Sequence, residues 1–374
     1  MKNIVLLLII FVWGAGEILA DDNLNHLRPR STPLPTVSHK GPSYSIVVLG
    51  DTHYDKAPAS VYHSHYNEKV AWLNKVQREE FERNGAMWAE RCPRLIEAAA
   101  NQVQANTVFA MQMGDLIQGD CGDPEVHKKM LNDTLDYFKK VFGGTPFLTV
   151  TGNHDIRGAG AAKAYCRMMP GRLSKEMGFE IPSVNFSFMQ GPDLFIFVDF
   201  NAPDAAGIRK ALEQHASARY KFIITHGPVI PSDDSSVRWF LFGRDDKLRR
   251  EMREVFLKND VIVFAGHTHQ LEFQECVTDS GRITQLIVNS VWMKDNLATP
   301  EVLADKPADY GKRQKTEFKN AEGAKLLDEY KPAMTRYYLA LSAGFGRLDV
   351  SPSGVAVHYF GGNATTPALT FKLR

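Results

Sequence analysis

The chain has 374 residues, with 44 Lys and Arg against 43 Asp and Glu and a formal net charge of +1. Hydrophobic residues make up 44% and charged residues 23%, an ordinary globular balance. This excludes a disordered charged tail and a collagen-like chain, and without a basic excess nucleic acid is not expected as a bulk electrostatic partner.

At the N-terminus, Lys2 precedes an unbroken apolar run from Ile4 to Trp13, and Gly14, Gly16 and Ala20 form a small-residue flank before Asp21. That is the pattern of a signal peptide over residues 1–20, cleaved after Ala20. A membrane helix needs about 20 apolar residues, so this run is too short to span, and no second run of that length follows. The sequence therefore predicts an exported chain, secreted or periplasmic, with no stable membrane span. In an oxidising compartment the four cysteines, Cys92, Cys121, Cys166 and Cys276, permit two disulfides, and at least one is expected. They contain no CxxC pair, which argues against a zinc ribbon. Residues 21–43 carry four prolines and read as a polar lead-in. A single domain is expected over 44–374.

From residue 44 onward, short β-branched and apolar runs end abruptly in Gly or Thr and a polar cluster. Ser45–Leu49 leads to Gly50-Asp51, Val108–Met113 to Gly114-Asp115, and Phe147–Thr151 to Gly152-Asn153. Phe222–Thr225 leads to His226, and Val261–Ala265 to Gly266-His267. These have strand length and composition. Helical spacing marks Glu68–Val103, with a break at Cys92-Pro93, then Glu125–Phe142 and Arg244–Lys258. Strands alternating with helices predict an α/β protein. Thr284–Val291, Tyr337–Ala343 and Val355–Phe360 read as further strands. No helix separates the last two, which suggests an antiparallel portion of a mixed sheet. Residues 293–335 read as a charged surface excursion.

The strand ends collect Asp51 and His53, Asp115, Asn153-His154-Asp155, His226, and His267 with His269. Ligands of open α/β sheets bind beyond the carboxyl ends of the strands, so five loops distant in sequence can meet there. Glycine before Asp51, Asp115, Asn153 and His267 fits tight turns where backbone crowds a site. Carboxylate, imidazole and amide oxygen together suit Zn, Mn or Fe, and no thiolate occurs in these loops. Seven candidate ligands exceed the needs of one ion and fit two divalent or trivalent ions sharing a carboxylate. Two such ions clamp the attacking and leaving oxygens of an in-line displacement.

The series GDTH, GD, GNHD, TH and GHTH over residues 45–270 resembles the calcineurin-like metallophosphoesterase superfamily. The resemblance implies a four-layer αββα sandwich with a dinuclear metal site at the C-terminal ends of its strands. By matching motif, Asp51, His53 and His269 would hold one metal, Asn153, His226 and His267 the other, and Asp115 would bridge them. His154 would contact the substrate phosphate or protonate the leaving oxygen, and Asp155 would orient it. Purple acid phosphatases place a tyrosine three residues after the bridging Asp. Here that residue is Gln118, so no tyrosinate-coloured centre is expected. The implied activity is hydrolysis of phosphate mono- or diesters by metal-bound hydroxide. The alternative is a catalytically silent metal-binding scaffold of the same fold, which loss of ligands would have favoured.

Phosphoester chemistry assigns further roles. Arg157 can grip a non-bridging oxygen with its planar fork. His63, His65 and Tyr62 form a softer cluster read as surface. Trp239 and Phe240, beside Arg238, read as packing residues with a secondary possibility of lining a pocket.

Overall fold

The computed structural model describes residues 36–37, 41–54, 79, 82–83, 85–119, 123–158, 160–233, 239–312 and 321–374. The expected signal segment, nearly all of the expected lead-in, Tyr62, His63, His65, Cys121 and Arg238 lie outside them. No helix among the described residues is long and apolar enough to cross a membrane.

In chain order the strands are β1 (Thr36–Val37), β2 (Tyr44–Leu49), β3 (Thr107–Gln112), β4 (Phe147–Thr149), β5 (Phe186–Gln190), β6 (Asp193–Val198), β7 (Lys221–Thr225), β8 (Val261–Ala265), β9 (Leu271–Thr278), β10 (Gly281–Ile287), β11 (Glu301–Ala304), β12 (Met334–Leu341), β13 (Gly344–Ser351), β14 (Gly354–Gly361) and β15 (Leu369–Lys372). They form two mixed sheets. One has the order β15-β14-β13-β2-β3-β4, with β2, β3 and β4 parallel and the rest antiparallel. The other is β1-β5-β6-β7-β8-β10-β9-β12-β11, with β6, β7, β8 and β10 parallel at its centre.

Strands buried on both faces read as continuous apolar runs, and β6 shows why. Its residues Phe195 and Phe197 face the core shared with the six-stranded sheet, while Leu194, Ile196 and Val198 face helices on the outer side. The same alternation divides Phe222 and Ile224 from Ile223, and Ile262 and Phe264 from Val261 and Val263. Across the sandwich, Phe109 of β3 meets Phe195 with ring centroids 5.4 Å apart. Each fully buried side chain of this kind contributes roughly 1.5–3 kcal/mol.

Helices α1 (Cys92–Ala100), α2 (Pro124–Val141) and α3 (Ala161–Met177) contribute to the core that includes the six-stranded sheet. Helices α4 (Ala205–Gln214), α5 (Asp246–Lys258) and α6 (Ala321–Tyr330) cover the outer face of the nine-stranded sheet. The result is an αββα sandwich. Helix α2 starts where Asp123 accepts from the backbone N–H groups of Glu125 and Val126, with Pro124 in the first turn. Met130, Leu131, Leu135 and Phe138 then recur on its buried face.

Several elements escaped sequence reading. Helix α3 contains Pro170-Gly171, which resembles a turn. Pro170 lacks the N–H for its helical bond, but the helix continues, with the Ser174 hydroxyl donating to Pro170 O at 2.6 Å. Tyr337–Ala343 and Val355–Phe360 read as one antiparallel portion, but β12 and β14 belong to different sheets: the chain changes sheet between β12 and β13, and β13 pairs with β14. Residues 293–335, read as a charged excursion, supply the edge strand β11 and helix α6, whose Leu326, Leu327 and Tyr330 are buried. The expected disulfide is not found among the described residues: Cys92, Cys166 and Cys276 are each free and buried.

Candidate metal centre

The parallel strands of both sheets end on one side of the sandwich, and five of their exits carry the expected side chains. Asp51 follows β2, Asp115 follows β3, Asn153 follows β4, His226 follows β7 and His267 follows β8. The exits are tied to each other by backbone. Thr52 and His53 N–H both donate to Asp115 O, at 3.1 and 2.9 Å, and Gly266 N–H donates to His226 O at 3.0 Å. Asp51 also forms an isolated parallel bridge with Asn289 of the other sheet.

Two donor sets result. Asp51, His53, Asp115 and His269 bring ligand atoms within 4.8 Å of one another, and so do Asp115, His226 and His267. Asp115 stands in both. Its Oδ2 lies 3.3 Å from His226 Nε2 and 3.7 Å from His53 Nε2, while its Oδ1 accepts the His154 backbone N–H at 2.7 Å. His269 Nε2 is 3.0 Å from Asp51 Oδ2 and 3.0 Å from His53 Nε2. On the other side, Asn153 Oδ1 and His267 Nδ1 are each 3.1 Å from His226 Nε2. All seven expected ligands therefore converge. The convergence of imidazole nitrogens, two carboxylates and an amide oxygen suits two divalent cations rather than a hydrogen-bonded core.

Backbone strain concentrates here. His53, Asp115, His267 and His269 adopt φ of 45°, 52°, 73° and 54°, conformations that cost of order 1–3 kcal/mol each and persist where surroundings enforce them. Space is equally tight. A Cβ on Gly152 would stand 2.2 Å from Asp115 Oδ1, and one on Gly266 2.2 Å from Asp51 Oδ1.

The electrostatics favour bound positive charge. For His226, burial opposes the proton, but Asp115 and Asp51 outweigh it and raise the pKa to about 9. Burial likewise pushes the Asp115 carboxyl up, yet His226, His154 and other neighbours hold it well below the usual range. Asp51 is lowered on the same pattern, burial being outweighed by His226 and His269. His267 falls to about 3 through burial and the neighbouring His226. His269, with a side chain 38% exposed, opens the centre to solvent, whereas Asp51, Asp115, His53 and His226 are buried.

Neighbouring groups orient the rings. His226 Nδ1–H donates to Met113 O at 2.8 Å, which leaves Nε2 facing the cluster. His53 Nδ1–H donates to Gln118 Oε1 at 2.9 Å. The ring of Trp239 lies 4.9 Å from His267, and Phe200 lies 5.2 Å from His226. Sequence reading gave Gln118 no role. The signal available was a lone amide directly after Leu116-Ile117, three residues past Asp115.

Two roles read from the sequence change. Asp155 does not orient His154. Its Oδ2 accepts Gly152 N–H at 2.8 Å and its Oδ1 accepts Ile117 N–H at 3.1 Å, so it holds the turn. Burial and then Asp115 raise its pKa to about 7. His154 instead donates its Nδ1–H to Gln118 O at 2.8 Å, and its Nε2 accepts from Arg157 Nη1–H at 3.1 Å. Burial and Arg157 hold the His154 pKa well below its usual value, so this ring is neutral and the cation beside it is Arg157, itself buried.

A family model described as calcineurin-like phosphoesterase matches residues 44–271. Among solved structures, the fold is similar to that of PhoD, with a TM-score of 0.51 at 11% identity over 91% of this chain and 70% of that one. A dimetal phosphatase from Danio rerio aligns with a TM-score of 0.48 at 12% identity, over 89% of this chain and 100% of that one. The purple acid phosphatase PPD1 of yellow lupin, Lupinus luteus, aligns with 0.47 at 12%, over 91% and 55%. No curated protein matches the chain.

Proposed function

The chain belongs to the calcineurin-like phosphoesterase family and is a metal-dependent hydrolase of phosphoester bonds, and from that premise we propose an exported enzyme acting on phosphate mono- or diesters. In this reading Asp51, His53, Asp115 and His269 hold one divalent ion, and Asp115, Asn153, His226 and His267 hold the second. The observation that carries it is Asp115, whose carboxylate belongs to both donor sets. Bound there, two such ions neutralise an anionic ester and lower the pKa of a bound water towards neutrality.

The protein's own groups prepare the site for that chemistry. Met113 O and Gln118 Oε1 fix the tautomers of His226 and His53 so that each presents a lone pair to the cluster. His154 Nε2 holds the Arg157 guanidinium beside the centre, where its remaining N–H groups can grip a non-bridging phosphoryl oxygen. Export rests on the apolar run and small-residue flank of residues 1–20, and N-terminal sequencing of the released chain should begin at Asp21.

Hydrolysis of p-nitrophenyl phosphate and bis(p-nitrophenyl) phosphate, with Mn²⁺ or Zn²⁺ added and bound metal measured by elemental analysis, tests the function. Turnover that requires the added ion supports it and ranks mono- against diester. Two bound ions without turnover on these or a wider ester panel would establish the silent scaffold instead.

A further inference from the structure

We propose that Gln118 is a positioning residue that holds His53 with its side chain and His154 with its backbone. The proposal rests on the reading of the cluster as a dinuclear centre. Gln118 is buried, follows Asp115 by three residues and contacts both imidazoles, whose rings meet edge-on with centroids 4.4 Å apart. Its Oε1 accepts His53 Nδ1–H at 2.9 Å, and its main-chain oxygen accepts His154 Nδ1–H at 2.8 Å. The amide orientation decides what His53 can do. With Oε1 towards the ring, the proton stays on Nδ1 and the Nε2 lone pair faces Asp115, Asp51 and His269. With the amide reversed, its N–H would donate to Nδ1, the ring proton would move to Nε2, and His53 would present a donor where a ligand is needed. The backbone contact cannot reverse, so His154 keeps its place whatever side chain stands at 118. Substitution at 118 therefore separates the two functions: it acts on the ion shared by Asp51, His53 and His269 and spares the other.

The test is Mn²⁺ titration of metal-stripped protein by calorimetry, with wild type, Gln118→Met and Gln118→Glu. Methionine keeps the length but removes the acceptor, and glutamate keeps an acceptor. Loss of an outer partner of a metal-bound histidine costs about 10–100-fold in affinity. Gln118→Met should weaken one of two binding events by that factor and leave the other unchanged, and Gln118→Glu should bind both ions as wild type does. Two events of wild-type affinity in Gln118→Met, or equal weakening of both, would overturn the positioning role while leaving the dinuclear reading intact. Wild type that binds no ion would overturn the dinuclear reading itself. Should Gln118→Met not fold, the zinc-loaded wild type decides by NMR: a slowly exchanging His53 Nδ1–H supports the role, and a rapidly exchanging one refutes it.

Discussion

His226 reaches from the nine-stranded sheet to a carboxylate carried by the six-stranded one: its Nε2 lies 3.3 Å from Asp115 Oδ2 while its Nδ1–H donates to Met113 O. The centre is thus a joint between the sheets as well as a site. Asp115→Asn removes the charge common to both donor sets. It should lose both ions together in elemental analysis and lower kcat by at least about 10²–10³-fold, the effect of deleting a central electrostatic group. Retention of both ions with normal turnover would refute the shared role.

The same contact gives a pH dependence. His226 has a folded pKa of about 9 against an ordinary value of 6.5. Its contribution to the stability of metal-free protein is therefore full below 6.5 and is lost as pH rises through 9. His154 and His267, whose values are depressed, have no proton left to bind in either state over most of that window. The melting temperature of metal-stripped protein should fall across it. Metal affinity should move the opposite way, because binding displaces the His226 proton. A flat or rising melting curve for metal-free protein would contradict the placement of that charge.

With its Nε2 engaged by Arg157, His154 is expected to hold that guanidinium rather than donate a proton to the leaving group. His154→Asn should lower kcat by a similar factor, about 10²–10³-fold, on nitrophenyl esters and on alkyl esters. Arg157→Gln should raise KM for both. A loss confined to alkyl esters, whose leaving group needs a proton, would restore His154 as the acid.

Asp155 uses separate oxygens for the Gly152 and Ile117 N–H groups. Asparagine offers one oxygen, so Asp155→Asn orphans a buried donor at a cost of about 1–3 kcal/mol. Urea unfolding should show that loss, whereas both bound ions should remain.

Burial raises the thiol pKa of Cys92, Cys166 and Cys276 to about 12 each. Native protein should resist alkylation at these three positions near neutral pH. After denaturation without reductant, all three should react, as peptide mass mapping would show. A disulfide between any two of them would contradict their placement as free, buried thiols.

The sequence by itself determined the candidate donor residues and the strand ends that carry them. Four of the five runs stop at a glycine, and at Gly152-Asn153 and Gly266-His267 the reason is that the backbone turns against a carboxylate, a local demand written in one dipeptide. The α/β class followed from the same alternation. What only the tertiary structure decided are relations between residues far apart or locally ambiguous. Helix α3 runs through Pro170-Gly171 because packing of Tyr165, Met169 and Leu173 outweighs a broken local bond. Strands β12 and β14 part into two sheets because β12 pairs with β9, whereas β13, the hairpin partner of β14, pairs with β2 near the start of the chain. Asp155 and Gln118 differ from their sequence reading for one reason: the direction in which a hydrogen bond points is fixed by the backbone around it, and adjacency along the chain does not specify that direction.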